Sequence, residues 1–519
     1  MGVFRMAQFI LAIDQGTTGT TVLVVDVTQP DATSIIGKQT VDFTQHYPKT
    51  GWVEHDLDAI WSSATQAAAQ ALAQASAANK NFDTKKIVAI GLTNQRETLC
   101  VFERKTGKPL ARAIVWQCKR SAAICQRLRA AGHEATIKAK TGLVLDPYFS
   151  GTKITWLMEN SPELAQEVRR GHAVFGTIDT YLISRLTGGK SFVTEASNAS
   201  RTLAFNIQTG RWDQELIETL SIPSVDALPQ VLDSAGQFGT TQGLGWLPDG
   251  IPITGVLGDQ QAALAGQTCF DVGEAKCTYG TGAFLLANLG AKPLVSKAGM
   301  LTTVAWSLGG KLSYAFEGSA FIAGAAVQFL RDQLRIIRSA SDSEAIARTA
   351  TAAPEIYFVP ALAGLGAPYW DPKAQGAFLG LTRGTSQAQL VRAVLEGIAL
   401  QVRELTEAMA RDLGSPLQVL RVDGGAAANS LLMQAQADYA GIRVDRPVNL
   451  ETTAFGAALF AGLGVGLYEG LEPMRRARRT EHIFSPASTA SEKATVASHI
   501  AGWHRAVKAV QVFAGTATP

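Results

Sequence analysis

The stretch Asp14-Gln15-Gly16-Thr17-Thr18-Gly19-Thr20-Thr21 sets one carboxylate, two glycines and four hydroxyls between the apolar runs 9–13 and 22–25. Small residues let backbone amides approach an anion closely, and threonine hydroxyls can donate to phosphate oxygens. A carboxylate at the strand end suits hydrated Mg²⁺, which takes few protein ligands and keeps several waters. The same pattern also describes an ordinary glycine-containing hairpin. A second turn of this kind, Tyr279-Gly280-Thr281-Gly282, follows about 265 residues later between residues 275–278 and 283–289.

Three further groupings could carry chemistry. Arg96-Glu97 stand at the end of an apolar strand pattern. Neighbours on a regular strand point to opposite faces, so serving one ligand together requires irregular backbone there. Otherwise they are a surface pair worth little. Asp259-Gln260 follow the apolar run 251–257 and precede an alanine-rich helix, so Asp259 is either a helix cap or a catalytic carboxylate. Asp423-Gly424-Gly425-Ala426 link a strand at 419–422 to a helix at 429–439. The glycines there either admit a flat or anionic ligand or make a tight turn. Trp116, Tyr148 and Phe284 line an apolar pocket or belong to the core. Residues 184–191 end like a phosphate-binding loop, but Ser184 stands where that pattern needs glycine, so they read as a turn.

The elements that position these groups follow from the pattern. Residues 9–27 read as a hairpin and 35–43 as a third strand. Asp56 caps a helix running to about Ala78, residues 87–92 form a short buried strand, and strand character resumes at 98–102. Helical segments are expected from about Gly318 to Leu334. The glycine-studded apolar run 454–468 is too short to span a bilayer and reads as a buried helix. A chain of 519 residues exceeds the usual limit of one core, so two domains are expected, 1–265 and 266–519. A formal charge of +3 gives no reason to expect nucleic acid or membrane partners. The basic stretch 475–479 reads as a solvated face. Five cysteines without a C-x-x-C suggest neither disulfides nor zinc, and fit a reducing, cytoplasmic compartment. The first residues lack an apolar signal core and a myristoylation pattern.

Several stretches resemble the FGGY carbohydrate kinases. They include Asp14 to Thr18, residues 47–56, Asn94 to Thr98, residues 148–156 and residues 376–396. Residues 114–118, 146–150, 194–202, 258–264, 278–282 and 451–457 are similar to the members that act on glycerol. The resemblance implies an α/β fold of two actin-like, ribonuclease-H-like ATPase domains with a cleft between them. It implies ATP-dependent phosphorylation of glycerol to sn-glycerol 3-phosphate. ATP would be held by Thr17, Thr18, Gly19 and Thr281, with Gly324, Gln328, Gly425 and Asn429 on its adenine and ribose side. Glycerol would be held by Arg96, Glu97, Tyr148, Asp259 and Gln260, with Trp116 and Phe284 packing its carbons. Mg²⁺ would sit near Asp14 and Asp259, and Asp259 would be the catalytic base. The resemblance admits a homo-oligomer, dimer or tetramer. Bacterial members carry arginine at the position of Thr21, so that phosphate-neutralising charge is absent here. Residues 237–250 lack the glycine- and base-rich loop that binds fructose 1,6-bisphosphate in some relatives, and the phosphorylated histidine of others.

Overall fold

The computed structural model describes residues 7–350 and 355–518; the first six residues, on which part of the reading of the chain start rests, lie outside them. Strands β1 (Phe9–Gln15) and β2 (Gly19–Asp26) form the expected hairpin, with Asp14 opposite Thr21. Strand β3 (Ser34–Asp42) extends it on one side. On the other side β4 (Ile87–Asn94) runs parallel to β1, and β6 (Pro252–Gly258) parallel to β4. Strand β5 (Ala235–Thr240) closes the edge, giving the order β5-β6-β4-β1-β2-β3.

The second sheet repeats this plan. Hairpin β7 (Ala275–Tyr279) and β8 (Ala283–Gly290) is followed by β9 (Leu301–Leu308), β10 (Lys311–Ala320), β11 (Val419–Asp423), β12 (Arg443–Pro447) and β13 (Thr480–Phe484). Their order is β9-β10-β8-β7-β11-β12-β13. In each sheet an antiparallel strand flanks the hairpin outside (β3, β10) and two parallel strands follow inside (β4 and β6; β11 and β12). The likeness visible in sequence only at the two turns therefore extends to strand order.

Helix α1 (Leu57–Ala78) begins where Asp56 accepts from the amides of Asp58 and Ala59 at 2.8 and 3.3 Å, as its type and place predicted. It lays an alanine-rich face on the first sheet. The other helices that matter to the site are α2 (Ser150–Asn160), α3 (Asp259–Gly266), α4 (Gly324–Asp332), α5 (Gln387–Leu413), α6 (Ser430–Ala440) and α7 (Thr452–Gly464). Helices α3 and α7 are packed between the sheets. One apolar cluster joins Ile10, Ala12 and Leu23 of the first sheet to Leu286 and Trp306 of the second through Leu264 and Ala458. This double burial explains why α7 is apolar all round. The approach is too close for side chains: a Cβ on Gly456 would lie 1.8 Å from the Ala262 carbonyl oxygen, and one on Gly91 2.3 Å from that of Ala457. Among the described residues no helix is long and apolar enough to cross a membrane.

Two expectations are corrected. Residues 318–320 are not helical: β10 runs to Ala320 and α4 covers only Gly324–Asp332. Strand β10 pairs on both sides, with β8 and β9, and is buried on both faces. Its alanines and glycine answer close packing, as where a Cβ on Gly318 would lie 2.7 Å from the Met300 sulfur, rather than helix propensity. The stretch 475–479 is a solvated face only in part: Arg476 and Arg479 are exposed, while Arg475 and Arg478 are partly buried. Arg475 pairs with Asp271, Glu274 and Glu472, Arg476 with Asp31, and Arg478 with Asp445. All five cysteines are free and buried.

Candidate active site

At the end of β4 the backbone breaks its alternation. Glu97 adopts φ 61°, and the Thr98 amide closes back on the Arg96 carbonyl at 2.7 Å. Such irregular backbone is what the pair would need in order to serve one ligand together, and both residues are buried, 2 % and 1 % exposed, not a surface pair. Arg96 meets Glu317 of β10 through Nη1–Oε2 at 2.5 Å and Nη2–Oε1 at 3.2 Å. Arg201 donates from Nε to Glu97 Oε1 at 2.5 Å and from Nη2 to Glu317 Oε1 at 2.8 Å. The Arg96 Nε lies 3.0 Å from Asp259 Oδ1. Against burial, which raises it, Arg201 and Arg96 hold the Glu317 carboxyl down to about 2. Burial pushes the Glu97 carboxyl up, with Arg201 and Arg96 opposing. Charges this dry persist only because each has a partner.

Local structure sets Arg201 in place. It follows the short helix Ala196–Ala199, whose cap Glu195 accepts from the amides of Ser197 and Asn198 at 2.7 and 3.1 Å and from the Ser234 hydroxyl at 2.5 Å. Burial raises the Glu195 carboxyl to about 7. Helix α2 supports Glu97 from the other side. Ser150 donates to the Glu97 carbonyl at 3.0 Å, and Lys153, one turn on, to the carbonyls of Tyr148 and Phe149 at 2.5 and 3.2 Å.

Asp259 is the first residue of α3, where a helix N-terminus favours a carboxylate. It is not the cap, which is Gly258. Its side chain is 28 % exposed, so a ligand can reach it. The Gln260 side-chain oxygen accepts from Lys276 Nζ at 2.5 Å, and Lys276 also donates to Thr278 at 2.8 Å. Burial lowers the Lys276 ammonium. Trp116 and Tyr148 meet edge to face at 5.5 Å, with burial raising the Tyr148 phenol. Phe284, half-buried on β8, makes no ring contact with either.

The two glycine-threonine turns are built alike. The Gly16 amide donates to the Gly19 carbonyl, and the Gly280 amide to the Gly282 carbonyl, each at 2.9 Å. The carbonyls of Gly16, Thr17 and Thr18 are taken by Gln95, Gln45 and the Phe43 amide. The amides of Thr17, Thr18 and Thr281 have no protein partner among the described residues. Gly19 opens β2. Around the second turn the Gly324 amide donates to the Gly280 carbonyl at 2.9 Å, and Gly424 lies against Tyr279, where a Cβ would be 2.6 Å from the Tyr279 carbonyl oxygen. The adjoining Gly425 faces open space. Thr281, Gly324 and Gly425 are thus gathered together. Gln328 is exposed on α4 and tied to none of them. Asn429 caps α6 through the Leu432 amide at 3.0 Å and donates to Ser343 at 3.2 Å.

Asp14 has no basic partner among the described residues, and burial, Asp259 and Glu451 raise its carboxyl well above the usual range. Thr21 shares a hydroxyl contact of 2.9 Å with Thr40 on β3, and Lys38 of the same strand pairs with Glu451. No group of three or more histidine, cysteine or acidic side chains at metal-ligand spacing occurs among the described residues.

Sequence reasoning passed over Arg201, Gln261, Lys276 and Glu317. Gln261 accepts from Arg96 Nη1 at 3.2 Å. The available signal was charge inside an apolar strand: Lys276 within β7 and Glu317 within β10.

Sequence profiles describing the "FGGY family of carbohydrate kinases" match residues 9–266 with the N-terminal domain and 275–465 with the C-terminal domain. The chain belongs to the FGGY family of carbohydrate kinases. This FGGY chain is 51 % identical over 504 residues to a glycerol kinase of Myxococcus xanthus, covering 97 % of this chain and 99 % of the relative. It superposes on the Plasmodium falciparum glycerol kinase with ADP at TM-score 0.88 and 36 % identity, covering 97 % and 98 % of the two chains. A gluconate kinase from Lactobacillus acidophilus shares the two-domain FGGY fold at TM-score 0.85 and 22 % identity, covering 98 % and 99 %. The FGGY architecture is thus common to kinases of different substrates, and the site must argue the substrate.

Proposed function

We propose that this FGGY kinase transfers the γ-phosphoryl group of ATP to a primary hydroxyl of glycerol, giving sn-glycerol 3-phosphate and ADP. The observation that carries this reading is the meeting of buried Arg96 and Glu97 with the reachable carboxylate of Asp259. Full-length similarity to glycerol kinases supports it.

Arg96 offers a donor fork and Glu97 an acceptor, matched to vicinal hydroxyls that each donate and accept. Trp116, Tyr148 and Phe284 supply apolar walls for a three-carbon chain, and Gln260 a further polar contact. Asp259 takes the hydroxyl proton as the oxygen bonds to phosphorus and the bond to the bridging oxygen of ADP breaks. Thr17, Thr18 and Thr281 hold the phosphates with amides that no protein group occupies among the described residues, and Gly19 lets the chain approach closely beside them. Gly324, Gln328, Gly425 and Asn429 face the nucleoside. Residues 1–265 carry the polyol and first phosphate contacts, and 266–519 the nucleotide side.

The residues present fit Mg²⁺. Asp14 has no basic partner among the described residues, and the neighbouring Asp259 and Glu451 burden it with further negative charge. A cation with few protein ligands relieves this. When bound, Mg²⁺ neutralises charge on the phosphates. Cytoplasmic location and a dimer or tetramer belong to the same proposal.

The test is an ADP-coupled assay over glycerol, tetritols and ketopentoses. Glycerol is expected to give the highest kcat/KM. Strong turnover of a tetritol or ketopentose with glycerol at background would overturn the reading.

A further inference from the structure

Trp116 and Thr17, assigned above to different substrates, are bonded to each other: the indole Nε1–H donates to the Thr17 hydroxyl at 2.9 Å. A loop of hydrogen bonds closes behind them. The Trp116 amide donates to the Thr98 hydroxyl at 3.3 Å, and that hydroxyl donates to Gln95 Oε1 at 2.8 Å. Gln95 Nε2 lies 3.3 Å from His55 Nδ1, and His55 Nε2 lies 2.9 Å from Gln45 Oε1. Gln45 Nε2 then donates to the Thr17 carbonyl at 2.5 Å.

The directions in this loop are forced. Gln45 spends its nitrogen on a carbonyl, so its oxygen must accept and His55 Nε2 must carry a proton. His55 Nδ1 then accepts from Gln95. The Gln95 nitrogen has two hydrogens to share among His55 Nδ1, Gln15 Oε1 at 3.0 Å and the Gly16 carbonyl at 3.2 Å, so Gln95 ties the loop to the turn as well as to His55. A neutral imidazole suits this role, and burial holds His55 down to about 4, with His46 adding to the effect. His55, Gln95 and Thr98 are buried, and the His55 ring packs edge-on to Phe43 at 5.0 Å. Directional bonds in a dry setting resist displacement of any one member.

We propose that this loop couples the polyol site to the phosphate turn, with Gln45, His55, Gln95 and Thr98 as positioning residues, so that polyol and nucleotide bind with positive cooperativity. A polyol packed on Trp116 fixes the indole, the indole fixes the Thr17 hydroxyl, and the Gln45 bond fixes the Thr17 carbonyl and its free amide. Coupling of this kind is reciprocal: whatever factor the polyol adds to nucleotide affinity, the nucleotide adds to the polyol's. The inference rests on the proposed places of Trp116 and Thr17.

The experiment is calorimetric titration of the full chain with a non-hydrolysable ATP analogue, with and without saturating glycerol. In the parent, glycerol is expected to tighten the analogue by about fivefold or more. In Gln45→Met and in Thr98→Val the factor is expected to fall below about twofold, while glycerol affinity without nucleotide stays within about twofold of the parent. The two variants cut the loop on opposite sides, so misfolding of one leaves the other to decide. A merely structural role would lower the melting temperature and leave the factor intact; that result, or absence of coupling in the parent, would overturn the proposal. If the substrate panel favours another polyol, that polyol replaces glycerol in the titration, so failure of the functional reading is told apart from failure of the loop.

Discussion

Glu317, on a strand of the second sheet, holds Arg96, at the end of a strand of the first, through two hydrogen bonds of 2.5 and 3.2 Å. The same carboxylate accepts from Arg201 at 2.8 Å. One acidic side chain therefore fixes both guanidinium groups around Glu97, and the proposed polyol pocket draws on both sheets. Glu317→Gln keeps the shape and removes the charge. Breaking one partner of a buried ion pair costs about 3–5 kcal/mol, because the other is left uncompensated. We expect a lowered melting temperature and a loss of about 100-fold in kcat/KM for glycerol, since about 2.7 kcal/mol of misalignment is enough. A variant with parental melting and kinetics would show that the array is ornamental.

Asp259→Asn tests the base. The amide cannot accept the hydroxyl proton, while Arg96 and Glu97, the proposed polyol contacts, stay in place. Turnover should fall by about 10²–10⁴ with glycerol affinity little changed. A near-normal kcat in stopped-flow or steady-state assays would remove Asp259 from that role.

Two buried groups tilt stability with pH in opposite directions. His55 has its folded pKa depressed to about 4 by burial and His46. Between about 6.5 and 4 the unfolded chain binds the extra proton, so this contribution is full above 6.5 and is lost as pH falls. Glu195 has its folded pKa raised to about 7 by burial. Between about 4.5 and 7 the folded chain holds the extra proton, so stability is lost as pH rises through that window. Each slope amounts to roughly 3 kcal/mol over its range, and they overlap. In urea unfolding from about pH 4.5 to 6.5 these two contributions offset each other, on top of those of Asp14 and Glu97, whose raised carboxyls slope the same way as Glu195. Relative to the parent, His55→Gln should steepen the loss of stability with rising pH and Glu195→Gln should lessen it; unchanged profiles in both variants would refute the assignment.

Thr21 stands where an arginine is expected from the family. Its hydroxyl is engaged with Thr40, and two residues along that strand Lys38 is paired with Glu451. Thr21→Arg is expected to change kcat/KM for ATP by less than about threefold, under 1 kcal/mol. A marked gain would show that neither a protein cation nor Mg²⁺ replaces the missing charge.

Short-range features were legible in the sequence. The Asp56 cap and the hairpins each follow from a few neighbouring residues. The buried partners were not. Arg201 and Glu317 lie 104 and 221 residues from the groups they hold, and no local pattern reports such a pairing. Separation along the chain likewise hid the partners of Arg475, Arg476 and Arg478, since Asp271, Asp31 and Asp445 lie 204, 445 and 33 residues away. Strand β10 was misjudged because alanine and glycine signal close packing as readily as helix, and only pairing on both sides decides between them.

All five native thiols lie buried, and burial pushes those of Cys125 and Cys269 up to about 11. Thiolate, not thiol, is the reactive species, so these cysteines are poor targets for alkylating reagents at neutral pH. A single cysteine introduced on an exposed strand or helix would then carry a fluorophore or spin label without first stripping the chain of its own sulfur. Distances between the two halves could be followed, substrate by substrate, on an otherwise unaltered protein.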